Sequence, residues 1–441
     1  MTMSVVQTKT KAEQALIAHF EAHAADLPGG DELMQARRDA IGAFETLGLP
    51  HRRIEEWKYT DLRAALKDAP PPATAKGEAS AAPDDAAIDA QLGMLGDLSA
   101  TRLLIVDGRF DTARFSGDLP PGLTVRAISD HAADLPQLAV SDSDAILALN
   151  TAFMSDGVVI DVAARADIKM PVLIVHVRAG ADERALTTRN VISIGAQATA
   201  TVIEAFITVE GAAGGLTNAA SEVRLGDHAE LTHLKITSEG QDVTHAANGI
   251  AELGTEAEYR AFQVTRDAAL VRNNLYGALM GEGAKIDVSG VMLGRGQDHH
   301  DTTLVIDHAV PGCESRELFK AVLDDTARAV FQGKVIVQPD AQKSDGKQMA
   351  QALMLSPTCE FDSKPELEIY ADDVVCGHGS TVAELDADLL FYLRARGIPE
   401  ATARGMLIDS FVAEALEKVD NEEIRDALRD ASRRWLHRED A

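Results

Sequence analysis

GAQATATVIEAF (195–206), GDHAELTHLKI (226–236), GTEAEYRAFQV (254–264) and GEGAKIDVSGV (281–291) share one pattern: a glycine turn, then an alanine and an alternating run. Their glycines stand 31, 28 and 27 residues apart. A period in this range, with one turn signal and two or three short strands per repeat, suits a β-solenoid, where each coil buries its inner face only against its neighbours. DDTARAVFQGKVIV (324–337) resembles a further coil, and the series is expected to run to about Val375. An antiparallel sandwich also alternates and also places Gly and Asp in turns, so the pattern leaves both architectures open.

Outward from the repeats, short β-type runs continue toward the N-terminus at Val191–Ile194, Val172–Val177 and Arg102–Val106. Before them, residues 69–87 are rich in Pro, Ala and Asp without periodicity, which predicts a linker, so the first segment is expected to be tethered to the β-rich region rather than fused to it. That segment has helical spacing over Glu13–Phe20 and Asp31–Leu47, with Asp31 as the expected N-cap and Gly48 as the stop. Past the repeats, Leu385–Arg396 reads as a helix ending at Gly397, and a new helix is expected at Pro399. Ile408, Phe411, Val412, Ala415 and Leu416 form an apolar stripe, and Ile424, Leu428, Ala431 and Trp435 form another. The resulting division is an N-terminal helical region (1–68), a linker (69–99), a β core (100–384) and a C-terminal helical region (385–441).

The 441 residues carry a formal charge of -28, which disfavours nucleic acid and anionic membrane surfaces as partners. Aromatic residues make up only 4%, so packing must rest on Val, Leu, Ile and Ala. Three cysteines, Cys313, Cys359 and Cys376, are too few for a disulfide framework and point to a reducing, cytoplasmic compartment. The polar N-terminus has no signal-peptide pattern, and no apolar run reaches 18 residues.

Several catalytic signatures are missing. Gly333-Lys334 is followed by Val335 and Gly346-Lys347 by Gln348, so neither completes a nucleotide-binding P-loop. No nucleophile elbow, H-E-x-x-H or paired C-x-x-C occurs, and the chain reads as a non-enzyme. The strongest chemical feature is ADDVVCGHG (371–379). Cys376 and His378 share one side of an extended strand, and Gly377 and Gly379 admit close approach. Sulfur and imidazole suit iron or zinc, but two ligands need a partner to complete a cluster site. A buried Cys with a hydrogen-bonded His is the alternative, and spacing does not decide between them. In Asp298-His299-His300-Asp301 the histidines face opposite ways and cannot readily share a metal. Cys313 and Cys359 sit in turn-like contexts without ligand spacing. Lys343, Asp345 and Lys347, with Lys334 and Arg328, are explained by a solvated face.

SRELFKAVLDDTARAVFQGKVIVQPDAQKSDGKQ (315–348), KPELEIYADDVVCGHGSTVAEL (364–385), FYLRARGI (391–398) and GLPHRRIEEWKYTDLR (48–63) closely resemble the SufB/SufD family of the SUF iron-sulfur cluster assembly system. The Cys-x-His-Gly form and Glu56-Trp57-Lys58-Tyr59 look like its SufD-type members; Gly377 stands where the family often has Ser. The resemblance implies a right-handed parallel β-helix flanked by helical regions, acting as a scaffold. It implies pairing with a SufB-like paralogue through the β-helix and recruitment of the SufC ABC-type ATPase by the C-terminal helices, where Phe391, Tyr392, Arg396 and Phe411 are the candidate contacts. ATP would then act only through SufC. An iron-sulfur cluster would pass transiently through the complex, with Cys376 and His378 as candidate ligands near the shared interface, and none would be held stably by the isolated chain. A homodimer in isolation, a SufB-like cluster-holding scaffold and an exported β-helix enzyme acting on polysaccharide are the alternatives; the last is opposed by the acidic charge and the missing signal peptide.

Overall fold

The computed structural model describes residues 9–73, 83–115, 117–131 and 144–436. Its strands are β1 (Thr101–Val106), β2 (Arg109–Phe110), β3 (Leu123–Ala127), β4 (Val158–Val162), β5 (Val172–Arg178), β6 (Arg184–Ile194), β7 (Thr199–Thr208), β8 (Gly215–Leu225), β9 (Glu230–Ser238), β10 (Gly240–Leu253), β11 (Glu258–Arg266), β12 (Ala268–Leu279), β13 (Lys285–Gly294), β14 (His299–His308), β15 (Glu314–Leu323), β16 (Arg328–Val337), β17 (Asp345–Met354), β18 (Glu360–Ile369) and β19 (Val375–Glu384). One sheet runs β19-β17-β15-β13-β11-β9-β7-β5-β1-β2, the other β18-β16-β14-β12-β10-β8-β6-β4-β3. Each coil lays one strand in each sheet, and from β4 onward the pairing is parallel. This is a parallel β-solenoid. The sandwich is excluded because sheet neighbours are two strands apart in sequence and run the same way.

The repeated turn explains why the coils stack. Its third residue is left-handed in all four quoted repeats: Gln197 (φ 62), His228 (58), Glu256 (51) and Gly283 (71). Its first glycine is demanded by the coil beneath. A Cβ on Gly195, Gly226, Gly254 or Gly281 would lie 2.5, 2.8, 3.1 or 2.0 Å from a backbone nitrogen of the preceding turn. The alanines that follow, Ala198, Ala229, Ala257 and Ala284, are fully buried in the interior. Between the sheets Ile174, Val202, Leu231, Ile286 and Phe319 face Ile192, Val223, Leu275, Leu304 and Phe331, so small branched residues fill most of the space.

Both outer faces are partly covered by helices. Helices α1 (Lys11–His23) and α2 (Gly30–Leu47) precede the short α3 (Leu62–Ala65), α4 (Asp85–Leu92) and α5 (Ile128–His131); α6 (Ala145–Phe153) comes next. Leu16, Phe20, Phe44, Leu149 and Phe153 from α1, α2 and α6 pack with Ala185, Leu216 and Ala246 on the even-numbered sheet. The first segment therefore docks directly on the solenoid and is not merely tethered. Gly48 stops α2 as expected, but Gly29, not Asp31, precedes it, and no side chain caps it. Part of the expected 69–99 linker is ordered against the core: Pro72 bridges to Ala185, and α4 buries Ile88 and Leu92. Residues 74–82 of that stretch lie outside the described residues.

At the other end the strand series continues past Val375 to Glu384 before α7 (Ala387–Arg394), α8 (Glu400–Leu416) and α9 (Glu422–Leu436). Ile408, Val412, Leu416, Ile424, Leu428 and Trp435 pack with Val175, Ile203, Leu234 and Val264 on the odd-numbered sheet. Both predicted stripes thus turn inward, while α7 buries no residue.

Candidate functional site

β18 and β19 are the last strands of the two sheets, ten residues long, and among the described residues neither has a strand partner on its outer side. Exposed apolar groups gather on the last strands and on α7, which follows them: Ile369, Tyr370, Val375, Val382, Leu389, Phe391 and Tyr392. Phe391 is 73% exposed.

Cys376 and His378 lie on β19, two residues apart and on the face that continues the solenoid interior. Cys376 is half-buried and packs against the inner core; His378 is exposed because the coils end there. Burial pushes the Cys376 thiol above its ordinary pKa. Cys376 stacks on Gly346 and then Ser315; His378 stacks on Gln348 and then Glu317. Glu317 is 3% exposed, and burial pushes its carboxyl up to about 8, against a weaker opposing pull from the Ser315 hydroxyl. Sequence reading missed Glu317 and Gln348. Their 31- and 30-residue offsets along the column become visible only once the register is known.

The other sequence candidates have structural partners. Asp301 pairs with Arg272 and accepts a hydrogen bond from the Thr60 hydroxyl, which also lies 2.8 Å from His299 Nε2. His300 Nε2 sits 2.9 Å from the Ala268 carbonyl. The two histidines do face opposite ways, and the motif anchors the Glu56–Thr60 segment, whose Trp57 ring lies 4.4 Å from the Arg272 guanidinium. Cys313 and Cys359 are buried, and the Cys359 thiol donates to the Ser356 carbonyl at 3.0 Å. Lys343 pairs with Asp373, Lys334 with Glu368 and Arg328 with Asp362. Among the described residues, no three His, Cys, Asp or Glu side chains are gathered as a metal would require.

The four candidate contacts on the C-terminal helices differ in setting. Phe391 and Tyr392 project from α7, and the Arg396 guanidinium covers the Tyr392 ring at 3.4 Å. Phe411 instead faces the solenoid, where the buried Lys320 ammonium lies 4.3 Å from its ring and pairs with Glu414.

A second polar cluster, deeper in the solenoid, also escaped the sequence. Glu204 accepts from the Ser221 hydroxyl at 2.7 Å and lies 3.1 Å from His233, whose other nitrogen meets the Tyr259 hydroxyl at 2.8 Å. Beside it Glu239 holds His245 at 2.6 Å, and Lys235 bridges His245 and Asn273. Burial lowers the Lys235 pKa to about 8 and holds His176, stacked on Phe206, at about 4.

Residues 176–411 match the family model for the SUF system FeS cluster assembly SufBD core domain, and residues 10–174 match that of the SufBD protein N-terminal region. An iron-sulfur cluster assembly SufBD family protein of Synechocystis is 31% identical over 90% of both chains. Escherichia coli iron-sulfur cluster assembly protein SufD is 31% identical over 86% of this chain and 87% of its own. The Bacillus subtilis protein of the same name is 29% identical over 65% of this chain and 66% of its own. With the solenoid, the flanking helices and the exposed Cys-x-His strand in place, these matches make the chain a member of the SufB/SufD family of SUF iron-sulfur cluster assembly proteins.

Proposed function

We propose that the chain is a SufD-type, non-enzymatic scaffold subunit of a cytoplasmic SUF complex. Its open solenoid end pairs with a SufB-like paralogue, and its α7 surface receives the SufC ATPase. The observation that carries this reading is the pair of ten-residue unpartnered edges bearing Cys376 and His378. An uncovered edge of that length exposes a row of backbone donors and acceptors suited to another sheet. Exposed Val375 and Val382 on β19 add apolar surface to it. A SufB-like chain seated there places its own ligands beside Cys376 and His378, so that a cluster is held as cargo between two chains. Phe391 and Tyr392 form a separate aromatic patch next to that edge, suited to a second partner.

Co-expression of the tagged chain with a SufB-like paralogue and SufC tests the arrangement. Phe391→Asp should remove SufC from the purified complex and retain the SufB-like chain, whereas Val382→Asp should release the SufB-like chain. His378→Ala should leave both partners bound and slow cluster formation in the complex at least tenfold. Recovery of the wild-type chain alone, or wild-type cluster formation by His378→Ala, contradicts the proposal.

A further inference from the structure

The chain has 70 acidic and 42 basic residues, so a cation on its surface readily meets a carboxylate. Most of the described ones do: Arg102 pairs with Asp89, Arg114 with Asp85, Arg126 with Asp161, Lys364 with Glu55 and Lys418 with Asp287. Arg52 and Arg53 break the pattern. Both are exposed, and among the described residues neither guanidinium has a carboxylate, a carbonyl or an aromatic ring as partner.

They are gathered on a fixed support. Arg52 and Arg53 line one open cleft of about 410 Å³ with His51, Asp61, Arg63 and Ala64. The two turns that form it are tied together: the Arg63 amide donates to the Pro50 carbonyl at 3.0 Å and the Ile54 amide to the His51 carbonyl at 2.9 Å. The His51 ring is held as well, its Nδ1 accepting from the Arg53 amide at 3.1 Å. Behind the cleft the buried Glu13 carboxylate accepts from the Leu49 amide at 2.8 Å and lies 3.5 Å from Arg63 Nε. Leu49 and Leu62 beneath are fully buried. Asp61, the acid of the lining, turns one oxygen to the Ala64 amide at 2.9 Å. The lining thus sets three guanidiniums against one carboxylate. Like charges placed side by side repel, and an anion lying among them relieves the repulsion.

We propose that this cleft binds a small anion with two or more phosphoryl groups, the class of inorganic pyrophosphate and nucleoside diphosphates. A guanidinium fork meets phosphate oxygens two at a time, and three forks suit more than one phosphoryl group. The volume falls within the range of about 300–1,000 Å³ common to small-molecule sites. The charge of the whole chain selects the size of the occupant. A nucleic acid or an anionic membrane brings its phosphates against the rest of a surface carrying -28. A small anion responds only to charges within a Debye length, about 8 Å at physiological ionic strength. The site is independent of the role given to Cys376 and His378.

Calorimetric titration of the full chain with pyrophosphate in metal-free buffer tests this. The wild type should bind one pyrophosphate, more weakly as salt is added. The double variant Arg52→Glu, Arg53→Glu should weaken binding by about tenfold or more, and Arg53→Lys, which keeps the charge and loses the fork, should fall between. Neither side chain touches another group, so the thermal midpoint of the ligand-free double variant should match the wild type, which separates lost binding from misfolding. Citrate should bind about tenfold more weakly than pyrophosphate. Equal binding of citrate would make the cleft a general counter-ion patch and overturn the phosphate assignment. The proposal also fails if the wild type binds no pyrophosphate, or if the double variant binds it unchanged. It fails equally if pyrophosphate does not bind and the double variant instead loses the SufB-like chain from the co-expressed complex, because the cleft then contacts protein.

Discussion

Two stretches of the solenoid interior carry buried polar groups and treat them in opposite ways. Around Glu204 and Glu239 the acids are answered by His233, Ser221, His245 and Thr217. Near the open end the Gln348 amide has no hydrogen-bond partner, and Glu317 has only the weak pull of the Ser315 hydroxyl. The stacking rule is the same in both, so the difference lies in which side chains the neighbouring coils and the second sheet bring against the polar groups. A closed network fixes register and specifies one arrangement of the coils. An unanswered pair beneath an exposed Cys and His has no such network and carries the cost of its own burial.

The largest effect should come from breaking a closed pair. Arg189 and Glu222 are both almost fully buried and bonded at 2.7 Å through Arg189 Nε. Arg189→Met removes the buried partner of Glu222, leaves it only the partly exposed Arg224 at 3.2 Å, and should cost about 3 kcal/mol or more, read as a fall in the urea midpoint. Next in size is an acid effect inside the solenoid. His176 titrates at about 4 in the fold, mainly through burial, with Glu204, Glu239, Lys235 and His245 around it. As pH falls from about 6.5 to 4 the unfolded chain takes a proton that the folded chain refuses. Stability present above pH 6.5 is therefore lost across that window, by about 3 kcal/mol for this group. His176→Phe, which keeps the ring against Phe206, should flatten that part of the pH dependence in equilibrium unfolding. The smallest effect has the opposite sign. Gln348→Leu should stabilise the chain by about 1–2 kcal/mol, because it removes an amide with no partner. A Gln348→Leu variant that unfolds more easily than wild type would place Gln348 with the closed network and erase the contrast.

The repeating turn was legible because its two requirements, a left-handed third residue and a glycine against the coil below, are local and recur. The C-terminal stripes were legible for the same reason, as Ile408 and Trp435 show. The columns were not. Coil length varies, so which residue lies under His378 depends on register, and nothing in ADDVVCGHG points 30 residues back to Gln348. Glu204 and Lys235 read as ordinary alternation until the second sheet closes over them, and Arg189 until α6 covers it. The 69–99 stretch misled because α4 carries only a few apolar positions, Ile88 and Leu92 chief among them, and its place against the odd-numbered sheet is set by packing. Phe411 was grouped with Phe391 by position along the chain, although the helical turn sends it toward Lys320.

The two ends of the solenoid also differ in how far association can go. The far edges are β2, two residues long, and β3, five residues long, each joined antiparallel to its neighbour. The near edges run ten residues each. In polymer terms the molecule is monofunctional: one end can couple and the other is a chain stopper. Two such units joined at their open ends expose only stopped ends, so growth halts at a pair and no fibril forms.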